Sequence, residues 1–396
     1  MKKVSPVDIK LQLKRISFFS ALTALVLCLA CAHSAAAETI DDILKAPELK
    51  GAKASIVIRD LDSDEYLYDL NRGEILIPAS NMKLVTGAAA ILALGLNWRF
   101  STDIHADSIG EGAAGNLYIY GHGDPTLSGE FFPGNDAAID AFAGEIVLAG
   151  VRRISGDIIL DGSLFPPEKT PAGWEAEDLN YCYAPNTSAL AVAGNCPKIM
   201  VSGTSKGVAV RFDPPVPEKY VHVGVTRVWE GSSRLSVSTM EDGRLRLNGR
   251  VRSGRSLEVE YKVKNPAEFF GWALESSLER LGVEFGGRII TAERWKGDRA
   301  AFRRIARYSS VTLPGIIEEM EHESDNFVAE QLLRTIGLQA KGNATTESGS
   351  AAAVELMRYY KIAGENDLVM YDGSGLSRLN RMRPAVLDSL LATFYR

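Results

Sequence analysis

Cysteine and histidine are both scarce, four and five among 396 residues. A zinc site needs several of them close together, and no such grouping exists. His322-Glu323 opens like the zinc pattern His-Glu-x-x-His, but the fifth position is Asn326, so that chemistry is excluded. Positive charge is also in short supply: 44 Lys and Arg stand against 50 Asp and Glu, a net charge of −6, with no basic cluster. A chain of that balance is a poor nucleic-acid binder. Repeats and low-complexity segments are absent. The longest apolar stretch, Ile16 to Ala32, is broken by Ser17, Ser20 and Thr23 and is short for a membrane span.

That stretch has another reading. Lys2, Lys3, Lys10, Lys14 and Arg15 precede it, and Ala35-Ala36-Ala37 follows it before Glu38. A basic start, an apolar centre and a small-residue A-x-A site describe a secretory leader over residues 1–37. Cleavage there leaves 39 basic and 49 acidic residues, a net −10, and places the protein across the inner membrane in the periplasm with no stable span. Cys28 and Cys31 leave with the leader. Cys182 and Cys196 remain as an even pair in an oxidising compartment, where a structural disulfide between them is sterically possible.

Past residue 37 the pattern changes twice. Ala54–Arg59 and Glu65–Leu70 read as two strands around the turn-forming Asp60–Asp64, a hairpin. A helix starts near Ser80 and runs to about Leu96, with Val85, Ala88, Ala89 and Leu92 at helical spacing. From about 101 to 264 short alternating segments and Gly/Pro-rich turns dominate, with one helix near Ala137–Ala149. Helices return at 267–281, 313–321, 326–336, 351–360 and 384–395. The order predicts an α/β domain in two parts, residues 38–100 and 265–396, split by a β-rich insertion over 101–264.

Two short patterns carry chemistry, and each occurs once in the chain. Ser80-Asn81-Met82-Lys83 sets a serine three residues before a lysine, on one helix face and roughly 5–6 Å apart at Cβ. A lysine so placed can take the serine proton and make a nucleophile. Ser324-Asp325-Asn326 follows 244 residues after Ser80. There Ser324 can relay a proton to a leaving amine, and Asn326 can orient a substrate amide or hold the lysine. The same tripeptide also suits an ordinary helix N-terminus, a role compatible with catalysis. Ser-x-x-Lys before Ser-x-Asn is the order used by serine acyl-transferases of the penicillin-binding type. Gly373-Ser374-Gly375 lacks the Gly-x-Ser-x-Gly spacing of a nucleophile elbow and reads as a glycine-supported turn. His122 reads as structural or surface, so a Ser-His-Asp triad has no support.

With these motifs, the chain resembles the D-Ala-D-Ala carboxypeptidases of serine peptidase family S13, the class C low-molecular-mass penicillin-binding proteins. The resemblance covers about residue 53 to the last residue. Beyond the two motifs it rests on Gly115–Leu127, on Gly173–Leu179 with Ala184-Pro185 and Ser188-Ala189-Leu190, on Ser324–Glu330, and on Tyr371–Arg378. It implies an α/β transpeptidase domain of the penicillin-binding-protein/β-lactamase type, interrupted by the insertion. It implies a carboxypeptidase and endopeptidase acting on peptidoglycan stem peptides, with β-lactams acylating Ser80 and no cofactor. Ser80 would form the acyl-enzyme, Lys83 would act as general base, Ser324 would protonate the departing D-alanine, and Asn326 would bind substrate.

The family's third motif, Lys-Thr-Gly, does not follow Ser324. Lys83-Leu84-Val85-Thr86-Gly87 holds the letters in the wrong helix. The sequence therefore reads as stopping before that motif and before the last strands of the central sheet. Two accounts follow: the sequence is a truncated reading of a complete enzyme, which the abrupt finish within a helix favours, or it is a real short product, which is expected to have an incomplete sheet and to be inactive or poorly folded. Two other readings stand beside the carboxypeptidase: a non-catalytic wall-peptide binder, which the missing motif favours, and a serine β-lactamase, which the insertion and the Asp372–Arg378 match disfavour.

Overall fold

The computed structural model describes residues 39–293 and 301–395. The leader expected over residues 1–37 lies outside them. Residues 39–54 form a small unit of their own. Its helix Ile40–Ile43 is capped by the Thr39 side chain, which accepts from the Asp42 N–H. Among the described residues no helix is long and apolar enough to cross a membrane.

The rest of the chain begins with β1 (Ile56–Arg59) and β2 (Tyr66–Leu70), paired antiparallel with Ile56 opposite Leu70. Asp60 Oδ1 accepts from the N–H groups of Asp62 and Ser63, each at 2.9 Å, and so closes the hairpin turn. A 3₁₀ turn, Ala79–Asn81, then runs into α1 (Met82–Leu94), which stops at Gly95, whose φ of +83° with ψ 156° is open to glycine.

The insertion opens with β3 (Ser101–Ala106), β4 (Leu117–Tyr120), α2 (Asn135–Leu148) and β5 (Ile158–Asp161). After a long irregular stretch come β6 (Lys198–Thr204), β7 (Gly207–Asp213), β8 (Val221–Val228), β9 (Arg234–Thr239), β10 (Leu245–Arg252) and β11 (Ser256–Glu260). These six form two three-stranded sheets, in the orders β7-β6-β11 and β8-β10-β9.

Helix α3 (Pro266–Arg280) and strands β12 (Ile289–Thr291) and β13 (Arg303–Ser309) pack with the insertion. Sequence patterning had grouped them with the second part of the peptidase domain. Strand β12 joins β5 in parallel and β13 joins β3 antiparallel, which completes a five-stranded sheet in the order β12-β5-β4-β3-β13. The cause is hydrophobic. Phe269, Phe270, Leu274 and Tyr308 are buried against Ile104, Ile119, Phe142 and Leu160. Phe142 meets the Phe270 ring edge-on at 5.2 Å.

The chain then returns to the first core through α4 (Leu313–His322), α5 (Asn326–Lys341), α6 (Thr346–Tyr359), β14 (Leu368–Val369), β15 (Arg381–Met382) and α7 (Pro384–Tyr395). Met82 and Val85 of α1 bury themselves with Ile316 and Met320 of α4, Leu332 and Ile336 of α5, Met357 of α6 and Leu390 of α7. The alanines of α1 let these helices approach closely. Asp388 of α7 accepts from Tyr66 Oη at 2.7 Å and Arg59 Nη1 at 3.3 Å, tying that helix to the hairpin. The architecture is thus mixed α/β, with a mainly helical core around α1 and α5, to which Leu368 of β14 and Met382 of β15 contribute, and a separate core in the insertion.

Candidate active site

Ser80 is the middle residue of the 3₁₀ turn and is exposed, whereas Lys83, second in α1, is 1% exposed. Ala79, just before the serine, holds φ at +47°, a conformation that costs a residue with a Cβ free energy of order 1–3 kcal/mol. Gly375 explains how the turn is clamped: a Cβ there would collide with the Ala79 carbonyl oxygen.

The Lys83 amine is fixed by two acceptors. Nζ donates to Asn326 Oδ1 at 2.6 Å and to the Ser374 carbonyl at 2.9 Å. A neutral amine has two N–H groups and one lone pair, so two acceptors use both donors and leave the lone pair free to take a proton. Burial favours that neutral form and holds the amine below the ordinary lysine range. The carboxylates of Glu330, Asp325, Glu321 and Asp372 oppose it without reversing it.

Ser324 lies in the turn between α4 and α5, exposed, with φ +54°. The N-cap of α5 is Asp325, whose side chain accepts from the Val328 N–H at 3.0 Å. Asn326 is therefore the first helical residue, and both ends of its amide are in use. Oδ1 receives Lys83, and Nδ2 donates to the Tyr183 carbonyl at 2.6 Å. Of the two roles the sequence allows Asn326, the structure shows it holding the lysine. Among the described residues Ser324 makes no hydrogen bond to Ser80 or Lys83.

Sequence reasoning gave no role to Glu330 or to the loop Asp372–Ser377. Both line the lysine from below. Asp372 collects the N–H groups of Gly375 at 3.0 Å and Ser377 at 2.6 Å, Asn380 Nδ2 at 2.7 Å and Trp174 Nε1 at 2.7 Å. Glu330 Oε1 receives the N–H groups of Gly373 at 3.0 Å and Ser374 at 2.8 Å. Thr86 Oγ1 donates to the Gly373 carbonyl at 2.7 Å. The signal in the sequence was a glutamate following the apolar Phe327-Val328-Ala329, in a stretch matching the family.

The irregular stretch between β5 and β6 forms the other wall. Cys182 and Cys196 are disulfide-bonded, with Cα atoms 5.9 Å apart. Tyr181 and Tyr183 flank Cys182, exposed and stacked with centroids 5.4 Å apart. Tyr183 Oη donates to Asp178 at 2.7 Å, and that carboxylate pushes the phenol up to about 12. Helix α5 anchors the stretch. Gln331 Nε2 donates to the carbonyls of Gly123 and Ser188, and Arg334 donates to Thr187 Oγ1 and the Pro166 carbonyl.

The remaining residues singled out in the sequence lie elsewhere. His122 packs its ring against Tyr120 at 4.7 Å within the insertion. Asp124 nearby is buried, which raises its carboxyl to about 6. Among the described residues the one group with metal-type donors is Cys182, Cys196 and Glu260, and its two sulfurs are tied in the disulfide.

The profile of the D-Ala-D-Ala carboxypeptidase 3 (S13) family matches residues 36–396. The chain is 32% identical over 373 residues to a D-alanyl-D-alanine carboxypeptidase of Actinomadura sp., covering 89% of this chain and 66% of that relative. It is 25% identical to D-alanyl-D-alanine carboxypeptidase DacB of Haemophilus influenzae, covering 88% of this chain and 71% of that one. It thus spans about two thirds of the length of these relatives. The crystal structure of penicillin binding protein 4 (dacB) from Haemophilus influenzae superposes with a TM-score of 0.68 at 24% identity, over 87% of this chain and 75% of that one. That likeness establishes a shared fold.

Proposed function

We propose, for a chain that belongs to the D-Ala-D-Ala carboxypeptidase 3 (S13) family, that Ser80 attacks the D-Ala-D-Ala peptide bond of peptidoglycan stem peptides and carries the acyl-enzyme. The observation that carries this reading is the Lys83 amine: buried, held below its usual range, and bonded to two acceptors. Lys83 takes the Ser80 proton as Oγ adds to the carbonyl carbon of the penultimate D-alanine. The Ser80 backbone N–H stabilises the oxyanion. As the C–N bond breaks, Ser324, on the opposite turn, takes the proton from Lys83 and passes its own to the departing D-alanine amine. Water then attacks the acyl ester, Lys83 takes the water proton and returns it to Ser80 Oγ, and the shortened peptide leaves with a free carboxylate. The same centre cleaves peptide cross-links as an endopeptidase and is acylated by β-lactams.

Asn326 serves this scheme by holding Lys83. The tyrosine-bearing stretch closed by Cys182–Cys196 borders the groove where the stem peptide lies. The leader over residues 1–37 delivers the protein to the periplasm, where this substrate is found. Release of D-alanine from a peptide ending in D-Ala-D-Ala, assayed with the full-length protein, tests the reading. Ser80→Ala is expected to lose release and covalent penicillin labelling together. Retained release in that variant contradicts the assignment. A wild-type protein that binds muropeptides with no release and no labelling supports the non-catalytic reading instead.

A further inference from the structure

The hydrogen bonds below Lys83 form a chain that begins at a buried carboxylate. Glu330 is 2% exposed, in the second turn of α5. Among the described residues its Oε2 has no hydrogen-bond partner. Burial, and then the Asp372 carboxylate, raise its pKa. An apolar side chain would fill this space without the desolvation cost of a carboxylate. What it would not do is receive two adjacent backbone N–H groups on one oxygen.

Those two N–H groups belong to Gly373 and Ser374. They define the orientation of the peptide planes that follow, and the Ser374 carbonyl is one of the two acceptors of Lys83 Nζ. One residue later, Gly375 abuts the Ala79 carbonyl, at the strained residue before the nucleophile. The Glu330 side chain thus holds the Gly373–Ser374 part of a loop that touches both the base and the nucleophile turn, while Asp372 and Thr86 hold its other backbone groups. Its reach is fixed by the helix, because α5 is also the helix that presents Asn326, the other acceptor of the amine.

We propose that Glu330 is a positioning residue for acylation: its Oε1 holds the Gly373–Ser374 backbone so that the Ser374 carbonyl orients the Lys83 amine toward Ser80. The inference rests on the functional reading above. It assigns the work to the position of one acceptor oxygen, not to the carboxylate charge.

Two near-isosteric variants of the full-length protein separate reach from charge. Glu330→Gln keeps an acceptor oxygen at the same distance and removes the charge. Glu330→Asp keeps the charge and draws the oxygens back by one methylene, about 1.5 Å. The readout is the acylation rate constant for a labelled penicillin, measured apart from the preceding non-covalent binding constant, with thermal unfolding as the check on folding. Expected is Glu330→Gln within about threefold of wild type, and Glu330→Asp slower by roughly 10- to 100-fold, with the binding constant of both unchanged. Three results overturn the proposal: an Asp variant as fast as wild type, a Gln variant as slow as the Asp variant, or a loss confined to the binding constant. Wild-type protein that takes no label at Ser80 refutes the functional reading itself. A labelled wild type with two unimpaired variants refutes the positioning role alone.

Discussion

Lys83 Nζ and Asn326 Oδ1 lie 2.6 Å apart across 243 positions of sequence. The bond joins the first helix of the peptidase core to the first residue of α5, and Asn326 passes it on to the Tyr183 carbonyl. The insertion intervenes in sequence between these two helices, yet its irregular stretch takes part in setting the base. Position of the lysine therefore depends on three segments meeting at one amide.

Asn326→Ala removes one of the two acceptors and the tether to Tyr183. Acylation by a labelled penicillin is expected to slow by about 100-fold, with little change in unfolding temperature, because a misplaced base loses most of its effect. Rate constants from gel or stopped-flow labelling check this.

Lys83→Met removes the general base and should cost about 100- to 10,000-fold in acylation rate. Because the amine is buried and its charged form is disfavoured there, the methionine variant is expected to remain folded. An unfolding temperature within about 1–2 °C of wild type, roughly 1 kcal/mol for a chain of this size, is the expected result in a thermal melt.

The pH dependence has a defined sign. Lys83 acts as a base only when neutral, so acylation rises with pH through the lowered lysine pKa, and its acid limb lies below the ordinary lysine range. The Glu321 carboxylate works against that lowering by stabilising the ammonium. Glu321→Gln removes the opposing charge, and the acid limb is expected to move to lower pH. A limb that moves to higher pH contradicts the assignment of Lys83 as the base.

Gly375→Ala places a Cβ against the Ala79 carbonyl at a residue with φ +85°. Strain of about 1–3 kcal/mol is expected, and the Ala79–Ser80 turn must shift to relieve it. Both the melting temperature and the labelling rate should fall together.

Reduction of Cys182–Cys196 opens a loop spanning 14 positions. Chain-entropy arguments put such a cross-link near 3 kcal/mol. Cys182→Ser with Cys196→Ser is expected to lower the unfolding temperature and to slow acylation, through the slackened Tyr183–Asn326 link.

The locally determined parts of this structure were legible in the sequence. The β1–β2 hairpin follows from two strand-like stretches around an Asx turn, whereas helix ends were less legible: the helix expected to reach Leu96 stops before Gly95, and the one expected to end at 336 runs on to Lys341. The Ser80–Lys83 and Ser324–Asn326 motifs were legible because each is a fixed spacing on a helix start. The packing of residues 266–309 was not legible because their partners are remote: Ile289 pairs with Ile158, and Tyr308 with Thr102. No local pattern specifies such a choice. Glu330 was missed for a related reason. In sequence it is the lone acid of an amphipathic helix, and its function resides in the backbone of a loop more than 40 positions away.

The account stands or falls on where a β-lactam becomes attached. Intact-mass and peptide-mapping analysis of the full-length protein after exposure to penicillin is the direct measurement. One equivalent of adduct on the peptide carrying Ser80, absent in Ser80→Ala, is the expected result. No adduct, or an adduct on Ser324 or Ser374, would contradict it.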